Sequence, residues 1–136
     1  MSRQTAANAV QAAFYAALNG NVGAPVYDEP PETADLPYVT IGEATTTRDN
    51  RFGQTARQVL AGVHVWSRSG GDFDQAGFLE GNTIAATVDG LLDGAHLSLV
   101  GWTAVGCDLD QSQTLRDPDG ITRHVVLTYR VWVEAA

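Results

Sequence analysis

The 136 residues predict a single α+β domain spanning 1–136, with elements in the order α-β-β-α-β-β. The sheet is expected to be four-stranded and mainly antiparallel, in the strand order 1-2-4-3, with two helices on one face. Three observations carry this reading. Arg57–Trp66 alternates, with Val59, Ala61, Val63 and Val65 on one side and Leu60, Gly62, His64 and Trp66 on the other. After Ser67–Gly71 the spacing changes to three- and four-residue steps and stays helical to Asp93. Ile121–Glu134 alternates again, with an apolar density that suits a central strand.

The first helix is expected over Gln4–Leu18, a segment rich in alanine. Thr5 can cap it, and Val10, Ala13, Phe14, Ala17 and Leu18 form its apolar stripe. Asn19-Gly20-Asn21 stops it. Residues 20–37 carry Pro25, Pro30, Pro31 and Pro37 and read as extended coil, with Val26-Tyr27-Asp28 able to lie along a sheet edge. Tyr38–Ile41 starts the first clear strand. Gly42–Gln54 is polar, holds Arg48 and Arg51, and carries one aromatic in Phe52-Gly53. It reads either as an ordinary surface loop or as a protruding docking arm between the first two strands.

After the Arg57–Trp66 strand, Gly70-Gly71 allows a sharp turn and Asp72 can cap the second helix. That helix presents Ala76, Leu79 or Glu80, Thr83 or Ile84, Thr87 or Val88, and Leu91, and Asp93-Gly94 ends it. Leu97–Cys107 is the expected third strand and Asp108–Gly120 a second polar loop, closed by the turn sequence Asp117-Pro-Asp-Gly120. The helices leave one sheet face uncovered. It is expected to carry His64, Trp66, Arg130 and Trp132 or the reverse set, and aromatics there mark a subunit interface or a ligand surface.

Composition narrows function. The formal net charge is −8, from 16 acidic and 8 basic residues. Gripping nucleic acid through its phosphates needs a basic patch that this balance does not favour. Acidity favours solubility, or a wall along which DNA slides. Apolar residues make up 44%, an ordinary globular fraction, and no apolar run is long enough to span a membrane. No secretory signal is visible at the first residues. Cys107, the one cysteine, has no internal disulfide partner, and a reducing compartment fits.

Catalytic patterns are weak. His64 and His124 fall on neighbouring strands with Cys107 or Asp108 nearby, but no pair has metal-type spacing. Nothing marks a partner that would activate Cys107. Asp108–Asp119 begins like a calcium loop, yet lacks the glycine at its sixth position and the glutamate at its twelfth. No cofactor is implied.

Several segments together resemble the tail-terminator, or tail-completion, family of long-tailed phages and gene transfer agents. They are the alanine-rich first helix, Val26-Tyr27-Asp28, Leu36–Gly42, and Val63–Ser67 with its glycine turn and helix. The last is Arg116–Gly120 leading into Arg123–Arg130. They follow the family's order over most of the chain. The resemblance implies a non-enzymatic virion protein that forms a homohexameric ring. Such a ring caps the tail tube, stops its elongation and offers the surface that joins the head–tail connector. DNA passes through the lumen without specific binding, and no membrane is involved. The implied location is the head-proximal end of the virion tail, with assembly in the host cytoplasm.

On this view Arg48, Arg51 and Phe52 are candidate docking residues and Asp117 and Asp119 a second contact. Trp66, Arg130 and Trp132 are candidates for the subunit interface. The rival readings are another connector ring component such as the stopper, or a small enzyme or metal-binding module using His64, His124 and Cys107. A small-molecule binding domain, which would need a deep apolar pocket, is a third.

Overall fold

The computed structural model describes residues 5–68 and 78–136. Helix α1 (Ala6–Leu18) begins where Thr5 is extended and its hydroxyl accepts a hydrogen bond from the Asn8 amide at 3.2 Å. Ala6, Ala9, Val10, Ala13, Phe14 and Leu18 form its buried stripe. The strands are β1 (Val26–Tyr27), β2 (Tyr38–Arg48), β3 (Ala56–Arg68), β4 (Trp102–Arg116) and β5 (Thr122–Ala135), with helix α2 (Leu79–Leu92) between β3 and β4.

The sheet is five-stranded and mixed, in the order β1-β2-β3-β5-β4. This corrects the expected four-stranded sheet ordered 1-2-4-3. The four long strands pair antiparallel, β2 with β3, β3 with β5 and β5 with β4. The added strand is β1, parallel to β2, with Val26 opposite Val39 and Tyr27 opposite Thr40. Pro25 accepts a hydrogen bond from the Val39 amide at 2.8 Å, and the prolines that follow β1 keep the strand short.

Two strands extend where loops were expected. β2 runs past Ile41 to Arg48, and Thr45, Thr46 and Thr47 face Leu60, Val59 and Gln58. Threonine is β-branched and suits a strand, but residues 43–48 are exposed, so no apolar alternation marks them. β4 starts at Trp102 rather than Leu97 and continues to Arg116, so the polar loop expected over Asp108–Gly120 is largely strand. Its polar half suits a sheet edge, where charge discourages unwanted pairing. At the level of Cys107 and Leu109 the outer edge is already occupied. Gly94 N–H donates to the Cys107 carbonyl at 2.7 Å, and Leu109 N–H donates to Asp93 Oδ1 at 2.8 Å.

The Asp72 cap lies outside the described residues. Along α2 the buried positions are Gly81, Ile84, Ala85, Val88 and Leu92. Thr83 and Thr87 face solvent, and their hydroxyls donate back to the Leu79 and Thr83 carbonyls. Gly81 lets the helix lie close to β3, since a Cβ there would sit 2.8 Å from Ser67 Oγ. Gly94, at φ +72°, follows the helix end as expected.

Both helices cover the face of Val59, Ala61, Val63 and Val65 on β3 and Val125, Leu127, Tyr129 and Val131 on β5, forming one core cluster. Phe14 meets Tyr129 edge-on, with ring centroids 5.8 Å apart. The Tyr129 hydroxyl donates to Asp89 Oδ1 at 2.9 Å, tying β5 to α2. Burial, then Asp89, pushes the Tyr129 pKa up, so the phenol keeps its proton and its donor role. Among the described residues no helix is long and apolar enough to cross a membrane.

Candidate docking surfaces

Register places the two hairpin turns at opposite ends of the sheet. β3 and β5 pair from Ala56↔Glu134 to Arg68↔Thr122, a span of roughly 40 Å at the usual rise per strand residue. The β2–β3 turn lies at the first end and the β4–β5 turn at the second. The uncovered sheet face lies between them.

The β2–β3 arm closes tightly. Arg51 and Gln54 exchange backbone hydrogen bonds at 3.0 and 2.7 Å, leaving Phe52 and Gly53 as the two-residue tip. Both have positive φ, 43° and 84°, the signature of a type I′ turn. Asparagine or glycine usually fills the first of these positions. Phenylalanine is disfavoured there because its Cβ crowds the backbone. The Phe52 side chain is fully exposed. The ring gains no packing within its own chain at this strained position.

Below the tip, Asn50 Oδ1 accepts from the Ala56 amide at 3.0 Å and from Arg57 at 2.7 Å. Arg51 pairs with Asp49 at 3.0 Å, and Gln54 Nε2 donates to the Ala135 carbonyl. Arg48 sits directly across from Arg57, an unfavourable like-charge pair until an acidic group comes near.

The β4–β5 turn is built around Asp119. Its Oδ1 accepts from the Ile121 and Thr122 amides, both at 2.8 Å, and its Oδ2 from the Thr122 hydroxyl at 2.6 Å. Gly120, at φ +75°, completes the turn. Both Asp119 oxygens thus serve the turn itself, while Ile121 is exposed and Asp117 half-buried. The Thr122 hydroxyl first, then the Thr122 and Ile121 amides, hold the Asp119 carboxyl below its ordinary range. A carboxylate lowered in the folded state supports the fold above the ordinary carboxylate range. That support is lost as pH falls through the folded value. The Ile121 and Thr122 amides should therefore exchange faster in acid, and Asp119→Ala should give the same faster exchange at neutral pH. Hydrogen exchange followed by NMR checks both.

Arginine gathers at the two ends. Arg48, Arg51 and Arg57 lie at the arm end and Arg68, Arg116 and Arg123 at the other, with Arg116 directly across from Arg123. Among the described arginines only Arg130 lies mid-sheet, paired with Asp110 at 3.1 Å and bonded to Gln58 at 2.9 Å. Of the exposed large apolar side chains, Phe52, Val100 and Val105 lie at the arm end and Leu115 and Ile121 at the other, while Tyr15 lies on α1 and Leu79 at the start of α2.

The uncovered face carries Trp66, Arg130 and Trp132, but not as one cluster. Trp66 faces His124 across the strands, whereas Arg130 faces Leu60, roughly 20 Å further along. Trp132 packs over Gly106, where a Cβ would lie 3.4 Å from the indole. Near Trp66 the rings of Tyr27, Tyr38, Trp66 and His124 form a row across β1, β2, β3 and β5, with successive centroids 5.8, 6.4 and 3.7 Å apart. Trp66 Nε1 donates to Thr40 Oγ1 at 3.1 Å. Tyr27, Tyr38 and Glu43 were not among the candidates, although the polar stretch after Gly42 contained Glu43.

The face also separates the groups of the rival enzyme reading. Cys107 faces Val131 in the core and is 1% exposed, on the helix side of the sheet. His64 and His124 meet on the opposite face. Burial, then Asp108 and Asp93, pushes the Cys107 thiol up to about 12, which leaves it a poor nucleophile at neutral pH. Among the described residues no group of three His, Cys, Asp or Glu side chains is placed to hold a metal ion.

The family described as Tail completion protein gp17 matches residues 6–134 of this sequence. A solved structure titled "Virion of native gene transfer agent (GTA) particle" contains a chain of the same fold, with a TM-score of 0.82 and 27% identity. The match covers 95% of this chain and 97% of that one. No curated protein matches the sequence.

Proposed function

Since this chain belongs to the tail completion protein gp17 family, we propose that it is a structural virion protein that closes the head-proximal end of a phage-type tail. Copies pack side by side into a ring, a hexamer in this reading, which caps the tail tube and stops its growth. The ring offers its other side to the head–tail connector, and DNA passes through the lumen without being gripped.

The observation that carries this reading is the placement of the two turns. One subunit presents a turn, a second turn roughly 40 Å away, and a bare sheet face between them. A ring component with neighbours above, below and beside it needs three such surfaces. In this scheme Arg48, Arg51 and Phe52 engage the tube, and Asp117 with Ile121 engages the connector. Asp119 holds that second turn in shape. Trp66, Arg130 and Trp132 face a neighbouring copy. The similarity to a chain from a gene transfer agent virion supports the setting. The acidic balance of the chain suits a lumen that lets DNA slide.

Electron microscopy of the purified protein mixed with tail tubes tests the reading. A ring on one end of each tube is expected. Binding to the connector with no affinity for tubes would instead make it a stopper-type ring.

A further inference from the structure

The strongest unassigned chemistry lies on the bare face beside Trp66. His64 Nδ1 and His124 Nε2 are 2.6 Å apart. His64 Nε2 is 3.2 Å from each carboxylate oxygen of Glu43. The His124 ring stacks on Trp66 at 3.7 Å with planes 13° apart, and is 9% exposed. The backbone is cleared for this row. A Cβ on Gly42 would lie 2.6 Å from His64 Nε2, and one on Gly62 would lie 2.9 Å from Glu43 Oε1. Glycine at both positions is what lets the imidazole and the carboxylate meet.

Proton positions follow from the geometry. With both rings neutral, His124 Nε2–H donates to His64 Nδ1 and His64 Nε2–H donates to Glu43. With one added proton, His64 is an imidazolium that donates to Glu43 on one side and to the His124 lone pair on the other. The heavy atoms need not move between these two states. A second added proton puts two N–H groups head to head across 2.6 Å, and the rings must part. His124 would then have to leave its stack on Trp66.

We propose that Glu43, His64 and His124 form a proton-binding site that accepts one proton in place and opens on the second, linking the shape of the bare face to acidity. The consequence for assembly rests on the reading above, in which this face packs against a neighbouring copy. Separation of the rings disorders the Trp66 platform and weakens that contact.

The charged groups around the pair favour the first proton. Glu43 reaches it from β2, and Asp28 and Glu29 line the same hollow of about 300 Å³ with His64 and Trp66. Asp117 acts on His124 from the β4–β5 turn. Arg68 lies two residues beyond Trp66 on the same side of β3. Burial first, and then His64, hold His124 below the ordinary histidine value of 6.5, against the pull of Asp117 and Glu43. A histidine lowered in the folded state binds fewer protons than the unfolded chain does. Its contribution to stability is therefore intact above 6.5 and declines as pH falls below that value.

The test is NMR titration of the imidazole nitrogens in the full chain from about pH 8 to about pH 5, with exposed His96 as the internal comparison. The pair should take up its two protons in coupled macroscopic steps, the second proton binding less readily than the first. Glu43→Gln, at a side chain 76% exposed, should fold normally and weaken uptake of the first proton about two- to fivefold. Copy–copy association, followed by sedimentation, should fall across the second step. Two independent single-step curves would overturn the site, as would a first step that Glu43→Gln leaves unmoved. Association that ignores the second step would overturn the link to assembly. Absence of association at every pH would count against the ring reading, while the titration would still decide the proton site.

Discussion

Phe52→Gly is expected to leave the fold intact and to abolish capping of tail tubes. Holding a non-glycine residue in the left-handed region costs about 1–2 kcal/mol, and Phe52 sits there at φ 43°. Glycine removes that strain but adds freedom to the unfolded chain, worth about 0.5–1 kcal/mol in the other direction. The net change in stability should fall between about zero and a gain of about 1.5 kcal/mol. Nothing packed is lost, because the ring is fully exposed.

Binding should respond in the opposite sense. An aromatic anchor at an interface is typically worth about 2 kcal/mol or more, which is a loss of about thirtyfold or greater in affinity. Phe52→Asn makes a useful companion, since asparagine is favoured at this turn position. A variant with unchanged or raised melting temperature that still forms rings yet no longer caps tubes is the expected result. Adding Arg51→Ala removes an exposed pair with Asp49 that contributes little to the fold. If the double variant caps tubes as well as the parent, the arm is not the docking element.

Burial decided which parts of this architecture could be read from the sequence. β3 and β5 are central and have one side in the core, so Val59–Val65 and Val125–Val133 alternate plainly. The far half of β2 and the second half of β4 pair just as regularly but are exposed, so they carry threonine, aspartate and glutamine. Hydrophobic periodicity reports what a strand covers and is silent about what it hydrogen-bonds to. The reverse error has the same origin. Leu97 and Leu99 alternate because both pack against the core, yet that segment has no strand partner.

The candidate surfaces divide along a similar line. Phe52 was visible because an aromatic beside glycine in a polar stretch is out of place. That its turn is type I′ depends on the Arg51–Gln54 pairing, which only folding creates. Trp66 and Trp132 were rightly placed on one face, but their separation is fixed by the register that sets Trp66 against His124. The role of Glu43 depends on the register shift between Ile41 and Ala44, and a bulge leaves no mark in residue periodicity. Asp119 reads from the sequence as a contact residue inside a strong turn sequence, and the turn-forming part is what the structure explains. Three hydrogen bonds from Ile121 and Thr122 fix its carboxylate within the turn.

Phe14→Ala should be the most damaging single truncation in α1, costing about 3–5 kcal/mol. That is a large share of the roughly 5–15 kcal/mol that holds a domain of this kind together. Phe14 is fully buried and lies edge-on to Tyr129, itself anchored to α2 through Asp89. One aromatic pair thus joins both helices to the central strand β5. Removing the ring leaves a cavity that its neighbours cannot readily fill, because Val10, Leu18 and Tyr129 are held by their own packing. Tyr15→Ala, one residue on and facing solvent at 40% exposure, should change stability by less than about 1 kcal/mol. Urea denaturation of the two variants beside the parent checks the contrast. The Phe52 variants alter docking without altering the fold, whereas Phe14→Ala should lower both together, with capping failing only as the folded fraction falls. A loss under about 1 kcal/mol for Phe14→Ala would mean that α1 is not what closes this core.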